Sequence, residues 1–180
     1  MNMAEYIGDL IEIGVRSLKV EGRMRSLYYL ATVIGTYREI IDRYYDKTLT
    51  PEIMEVLQER LDRVANRETS THYFMKEADY TDQYYSGRSE ASNQDYLGQV
   101  ISYENDLLKF YERNYFEVGD LVELFTPEGE HIDFIVKELY DEDMNKLDVA
   151  RHPDNIYYLK IDTEIKIPEY SMLKIVERKQ

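Results

Sequence analysis

An α+β architecture in two unlike parts is predicted by three observations. A short strand at Val15 to Val20 feeds a long amphipathic helix. A second helix, opened by Thr50-Pro51, follows it. After Tyr96 the pattern changes to short apolar-alternating runs separated by turn signals. The first part reads as a helical segment with one β/α unit of a truncated (β/α) barrel. The second reads as an antiparallel β-barrel. The predicted divisions are 1–68 for the helical end of a (β/α) barrel, 69–94 for an extended connection and 95–180 for the small β-barrel.

Each element has a local cause. Residues 4–13 place Ile7, Leu10 and Ile11 on one helical face, and Gly14 supplies a C-terminal stop. In Val15 to Val20 the β-branched residues favour a pleated backbone. The helix over about 26–46 carries apolar residues at 27, 30, 31, 34, 37, 41, 44 and 45, close to a 3.6-residue period. Tyr28, Tyr29, Tyr37, Tyr44 and Tyr45 on it read as packing residues before they read as a base-stacking surface. Thr50 caps the next helix, and Pro51 sits where its missing N–H does no harm. Ile53, Val56, Leu57, Leu61 and Val64 form the expected buried stripe. From Ala65 to Asn93 periodicity is lost, but Tyr73, Phe74, Tyr80, Tyr84 and Tyr85 argue for a segment pinned by its rings, not a free linker. Strands are expected at 96–103, 106–112, 120–125, 131–139, 146–150, 156–162 and 172–177.

Composition narrows the chemistry. The chain has 180 residues, fewer than the roughly 250 of a complete eight-stranded (β/α) barrel. The formal charge is −14, and residues 1–48 balance seven basic with seven acidic side chains, so the excess lies beyond them. That balance disfavours nonspecific nucleic-acid affinity. The absence of cysteine removes thiolate nucleophiles, disulfides and Cys-ligated metals, and it fits a reducing compartment. With no signal-peptide pattern and no membrane-length apolar run, a cytoplasmic location is expected.

The densest chemistry is Ser17 to Ser26, SLKVEGRMRS. Glu21 and Arg23 are the candidate catalytic residues. A carboxylate at a strand's end serves as acid, base or orienting group, and an arginine forks onto carboxylate or phosphate. The competing reading is a structural pair closing a turn. Lys19 and Arg25 are candidate ligand-binding residues. Asp141, Asp143 and Asn145 imitate a calcium loop, but Lys146 and His152 occupy the positions that need Gly and Glu. His72, His131 and His152 show no ligand spacing. No G-x-S-x-G, H-E-x-x-H or Gly-rich phosphate loop occurs. No metal or cofactor is therefore expected.

Taken together, these motifs resemble the C-terminal part of peptidase family U32, the collagenase-like proteases. SLKVEGRMRS with YYLATVIGTYREIIDRY (28–44) resembles the family's last barrel strand and following helix. ANRETSTHYF (65–74) resembles its connecting segment, with Glu68 where Gly is usual. ERNYFEVGDLVELFTPEGE (112–130), YDEDMNKLDVARHP (140–153) and PEYSMLK (168–174) resemble its C-terminal β-barrel. The resemblance implies a peptidase fragment, inactive alone, whose β-barrel positions substrate. Its alternative is an RNA-binding or accessory module of a tRNA or rRNA base-hydroxylation protein. It also implies that the cysteine-containing barrel region lies outside this sequence. Implied partners are that barrel portion or a second copy of the chain, and a tRNA, rRNA or protein substrate, with no membrane. Glu112-Arg113-Asn114 and Arg151-His152-Pro153 are expected to hold loops. Leu18 and Val20 are expected to find cover from a second copy or from residues 73–85.

Overall fold

The computed structural model describes residues 1–64, 69–77 and 95–179, and its contacts divide the chain into two compact units, Met1–Asn93 and Gln94–Gln180. The first unit is helical. A 3-10 turn at Ala4–Tyr6 runs into α1 (Ile7–Glu12), followed by α2 (Leu27–Tyr45) and α3 (Pro51–Val64). Gly14 ends α1 with φ +88°, which lets its N–H reach Ile11 O and the Val15 N–H reach Leu10 O. The Ser26 side chain accepts from the Tyr29 N–H at 3.1 Å and starts α2. Thr50 does the same for α3 through the Ile53 N–H at 3.4 Å.

The buried side of α2 differs from the expected one. Tyr28, Thr32, Val33, Thr36 and Ile40 are buried, whereas Leu27, Ile34 and Tyr45 are exposed. The helix carries apolar residues on two sides, and packing against α1 and α3 selects one of them. Leu57, Leu61 and Val64 of α3 are buried as expected, but Val56 is exposed. The tyrosines mostly pack. Tyr28 is buried, and the Tyr37 hydroxyl accepts from the Met3 N–H at 2.9 Å and donates to Asn2 Oδ1 at 3.1 Å. Phe74 packs on Tyr6 with ring centroids 5.1 Å apart, while Tyr73 is exposed. Tyr80, Tyr84 and Tyr85 lie outside the described residues.

Glu39 ties α2 to α3. It accepts from Arg43 on its own helix and from Arg60, each at 2.8 Å. Burial pushes its carboxyl up, but the two guanidiniums outweigh burial and hold it below its usual range. Arg60→Ala is therefore expected to lower the stability of the helical unit by about 1 kcal/mol. The loss should shrink as acid protonates Glu39, at a lower pH than an ordinary carboxylate requires, and thermal unfolding followed downward from pH 7 measures it.

The expected strand at Val15 to Val20 is absent. Those residues have no strand pairing and are all exposed. A parallel strand needs flanking strands to accept its N–H groups, and the helical unit offers none among its described residues. Residues 73–77 do not cover Leu18 and Val20, which remain 38% and 36% exposed.

The described residues of the second unit form ten strands: β1 (Tyr96–Glu104), β2 (Leu107–Glu112), β3 (Phe116–Glu117), β4 (Leu121–Phe125), β5 (His131–Ile135), β6 (Leu139–Tyr140), β7 (Lys146–Leu147), β8 (Val149–Ala150), β9 (Ile156–Lys160) and β10 (Met172–Glu177). Eight form one antiparallel sheet in the order β5-β4-β10-β1-β2-β9-β6-β7, and β3 pairs with β8. The expected barrel is thus not closed: β5 and β7 are the sheet's two ends and do not pair. The reason lies in the short strands. Asp148 separates β7 from β8, and the two go to different sheets instead of forming one strand at 146–150.

Side-chain alternation produces a single core in this unit. Leu108 and Phe110 of β2, Tyr157 and Leu159 of β9, Val122 and Leu124 of β4 and Leu173 and Ile175 of β10 point into it, joined by Phe116 and Ala150 from the small ribbon. Asn105 and Asp106 connect β1 to β2 with φ of 51° and 63°, the backbone of a tight two-residue hairpin turn.

Candidate functional site

The SLKVEGRMRS segment forms an open loop leading into α2. Glu21 is the acceptor at its centre. Its Oε1 accepts from the Arg23 N–H at 3.2 Å, and its Oε2 lies 3.9 Å from Lys19 Nζ. Both side chains are well exposed, at 72% for Glu21 and 87% for Lys19. The Arg25 guanidinium sits over the Tyr29 ring, 5.0 Å from its centroid. Gly22 brings the loop against α2: a Cβ there would stand 2.1 Å from Leu30 Cδ2. The loop therefore gathers Lys19, Glu21 and the Arg23 backbone. The Arg23 side chain is exposed and has no ion-pair partner among the described residues. The loop lines neither the cavity of about 350 Å³ beside Arg151 nor that of about 110 Å³ beside Ala4.

A second cluster lies at the end of β2, where the sequence offered only loop-holding residues. Glu112 follows Leu108 and Phe110 on the inward side of its strand and is fully buried. Neither carboxylate oxygen has a hydrogen-bond partner among the described residues. The backbone around it is tightly held. Its N–H donates to Asn155 O at 3.0 Å, and its carbonyl accepts from the Asp154 N–H at 2.9 Å. Arg113 pairs with the Asp154 carboxylate, and the Asn114 amide donates to Tyr96 O at 2.7 Å. These residues do hold loops, as expected. Burial, with a smaller push from the Asp154 charge, raises the Glu112 carboxyl to about 7. The signal in sequence was its parity: 108, 110 and 112 share one face, so an acid at 112 had to point inward.

Beside that turn is an open cavity of about 350 Å³ lined by Lys146, Asp148, Arg151, His152 and Tyr157, among others. Elsewhere, Glu123 Oε1 is shared between His131 Nδ1 at 2.8 Å and Lys174 Nζ at 3.0 Å. Burial opposes ionisation of Glu123, but those two partners hold its carboxyl below the usual range. Asp141 accepts from the Asp143 N–H, the Asn145 N–H and the Asn145 amide, which makes it a turn anchor. Among the described residues, no group of three or more His, Asp or Glu side chains is placed to hold a metal ion. No helix among them is long and apolar enough to cross a membrane.

Comparison with known proteins adds an outside measure. "tRNA hydroxylation protein P1" of Bacillus subtilis is 38% identical over 167 residues, covering 92% of this chain and 40% of that protein. A "Collagenase" of Porphyromonas gingivalis is 33% identical over 100 residues, covering 54% of this chain and 27% of the collagenase. The chain thus spans two fifths or less of the length of these relatives. The crystallised C-terminal domain of a Geobacillus thermoleovorans U32 peptidase aligns with a TM-score of 0.43 and 33% identity, over 46% of this chain and 93% of that domain. The family model "Peptidase family U32" matches residues 1–84, and that of the "Peptidase family U32 C-terminal domain" matches residues 92–174. The two matches run in order through the helical unit and then the sheet unit, and on them this chain belongs to peptidase family U32.

Proposed function

We propose that this chain is the C-terminal part of a (β/α)-barrel protein that works in tRNA hydroxylation. The observation that carries this reading is the 38% identity to tRNA hydroxylation protein P1, which runs through 92% of the chain and so through both units. Likeness to the collagenase-named protein covers 54%. A peptidase role is the second reading and rests on that shorter match.

In this reading Val15 to Val20 is the last strand of a barrel whose other strands come from polypeptide ahead of this segment or from another chain. Two features support it. The segment leaves Val15, Leu18 and Val20 exposed, and α2 keeps Leu27 and Ile34 exposed. A strand and helix of a (β/α) barrel bury such residues against neighbouring units. Glu21 and Arg23 then stand at the C-terminal mouth of the barrel, where such scaffolds place their chemistry. Glu21 acts as acid, base or orienting group, Arg23 forks onto phosphate or carboxylate, and Lys19 and Arg25 contact the ligand. The sheet unit positions the substrate.

The test is a chimera in which this chain replaces the matching region of the B. subtilis protein, in cells lacking the native copy. Nucleoside mass spectrometry of the tRNA should show the hydroxylated base restored. Glu21→Gln and Arg23→Ala should each abolish it without lowering chimera accumulation. A chimera that accumulates normally and leaves the tRNA unhydroxylated overturns the reading. Gelatin cleavage by that chimera would favour the second one.

A further inference from the structure

The outward face of the sheet carries an ordered row of rings and cations that no role described so far uses. Across four neighbouring strands, Lys109 lies opposite Tyr158, Tyr158 opposite Tyr140, and Tyr140 opposite Lys146. Tyr111, 44% exposed, lies opposite Ile156 in the next outward row. The alternation of β2 and β9 places these residues away from the core, since their inward neighbours Leu108, Phe110, Tyr157 and Leu159 are buried. Lys109 Nζ sits 5.6 Å from the Tyr158 ring centroid and has no ion-pair partner among the described residues. Glu138 answers both Lys146, at 3.6 Å, and Lys160, at 3.9 Å, and accepts from the Tyr140 hydroxyl. Outward positions of the same sheet also carry Glu104 on β1, Glu123 on β4 and Asp133 on β5. Around the tyrosine row itself the three cations Lys109, Lys146 and Lys160 face Glu138, in a chain whose net charge is −14.

We propose that this Tyr111–Tyr158–Tyr140 face, edged by Lys109, Lys146 and Lys160, is a docking surface for an unpaired stretch of RNA. Neighbouring strands stand about 4.8 Å apart, so rings on adjacent strands present a stepped platform for successive bases. Base–ring stacking tolerates any sequence and requires little charge, which reconciles RNA binding with an acidic chain. The lysines supply the phosphate contacts that the rest of the surface disfavours. The partial neutralisation by Glu138 keeps that contribution small, so affinity is set by the rings. The inference deepens the reading of tRNA as substrate and rests on it.

Fluorescence anisotropy with the full 180-residue chain, bulk tRNA and a ten-nucleotide unpaired RNA tests it at 20 and 150 mM salt. Both RNAs should bind at low salt, with a log–log salt slope of about −2 for some three phosphate contacts. Tyr111→Ala and Tyr158→Ala should each weaken binding about tenfold. Lys109→Glu should weaken it several-fold at 20 mM and less at 150 mM. Lys137→Ala, on an exposed residue outside the paired rows, should leave binding unchanged. Circular dichroism establishes that each variant is folded, and Tyr111→Phe, which keeps the ring, should retain binding. Absence of binding by the unaltered chain at 20 mM overturns the proposal. So does equal binding by folded Tyr111→Ala and Tyr158→Ala. A chimera that hydroxylates tRNA while carrying both alanines would sink this surface and leave the tRNA reading intact.

Discussion

Glu112→Gln is expected to stabilise the sheet unit by about 3 kcal/mol at pH 8 and to have little effect at pH 4. The side chain is fully buried, both its oxygens lack partners among the described residues, and the nearby Asp154 charge opposes ionisation. Its carboxyl rises from 4.5 in the ordinary case to about 7 in the folded protein. Between those values the native chain holds a proton that the unfolded chain has released. Unfolding therefore releases a proton, and stability falls as pH rises through the window. Above about pH 7 the full cost of a buried, unpaired carboxylate is present. Glutamine keeps the shape and never ionises, so it removes that cost. Urea unfolding of both proteins from pH 4 to pH 8 makes the comparison. Curves that stay parallel across the range would show that Glu112 finds a donor in solution and is not stranded.

Gly98→Ala is expected to destabilise the same unit by about 3 kcal/mol. A Cβ at Gly98 would lie 2.2 Å from the Tyr111 carbonyl oxygen and 2.9 Å from Phe110 Cδ2. The first obstacle is backbone of the paired strand, which cannot swing aside as a side-chain tip does. Gly98 sits where the β1–β10 register shifts, so the bulge presses β1 onto β2 at that point. Gly35→Ala is the control. A Cβ there meets nothing within 4 Å on the exposed face of α2. It should stabilise the helix by about 0.5–1 kcal/mol. A Gly98→Ala protein with unchanged unfolding midpoint would mean that β1 shifts to admit the methyl group.

The sheet unit was legible because its strands alternate cleanly. In LLKFYE the period of two assigns Leu108 and Phe110 to the core without any knowledge of partners. Two-residue strands such as β3 carry too little pattern to be seen, and barrel closure depends on edges that alternation does not encode. Val15 to Val20 illustrates the converse. Its residues are willing to be a strand, but a strand is made by hydrogen bonds to neighbours, and the described residues of this unit offer none. On α2 the apolar period was read correctly and its face was not, because Leu27 and Ile34 lie on a second apolar side that α1 and α3 leave open. The loop around Glu21 was visible as chemistry. Glu112 was masked by its own polarity, since an acid on the inward side of a strand reads as a strand's end.

The order of strands in the sheet has a consequence for biosynthesis. β10 lies between β4 and β1, so the strand that follows the other nine in chain order is a central one. Until Glu177 clears the ribosome, β5-β4 and β1-β2-β9-β6-β7 are separate half-sheets, each with a raw edge. Nascent chains halted a few residues short should be held by chaperones or degraded, and a stop codon before Met172 should eliminate the whole domain, not trim it.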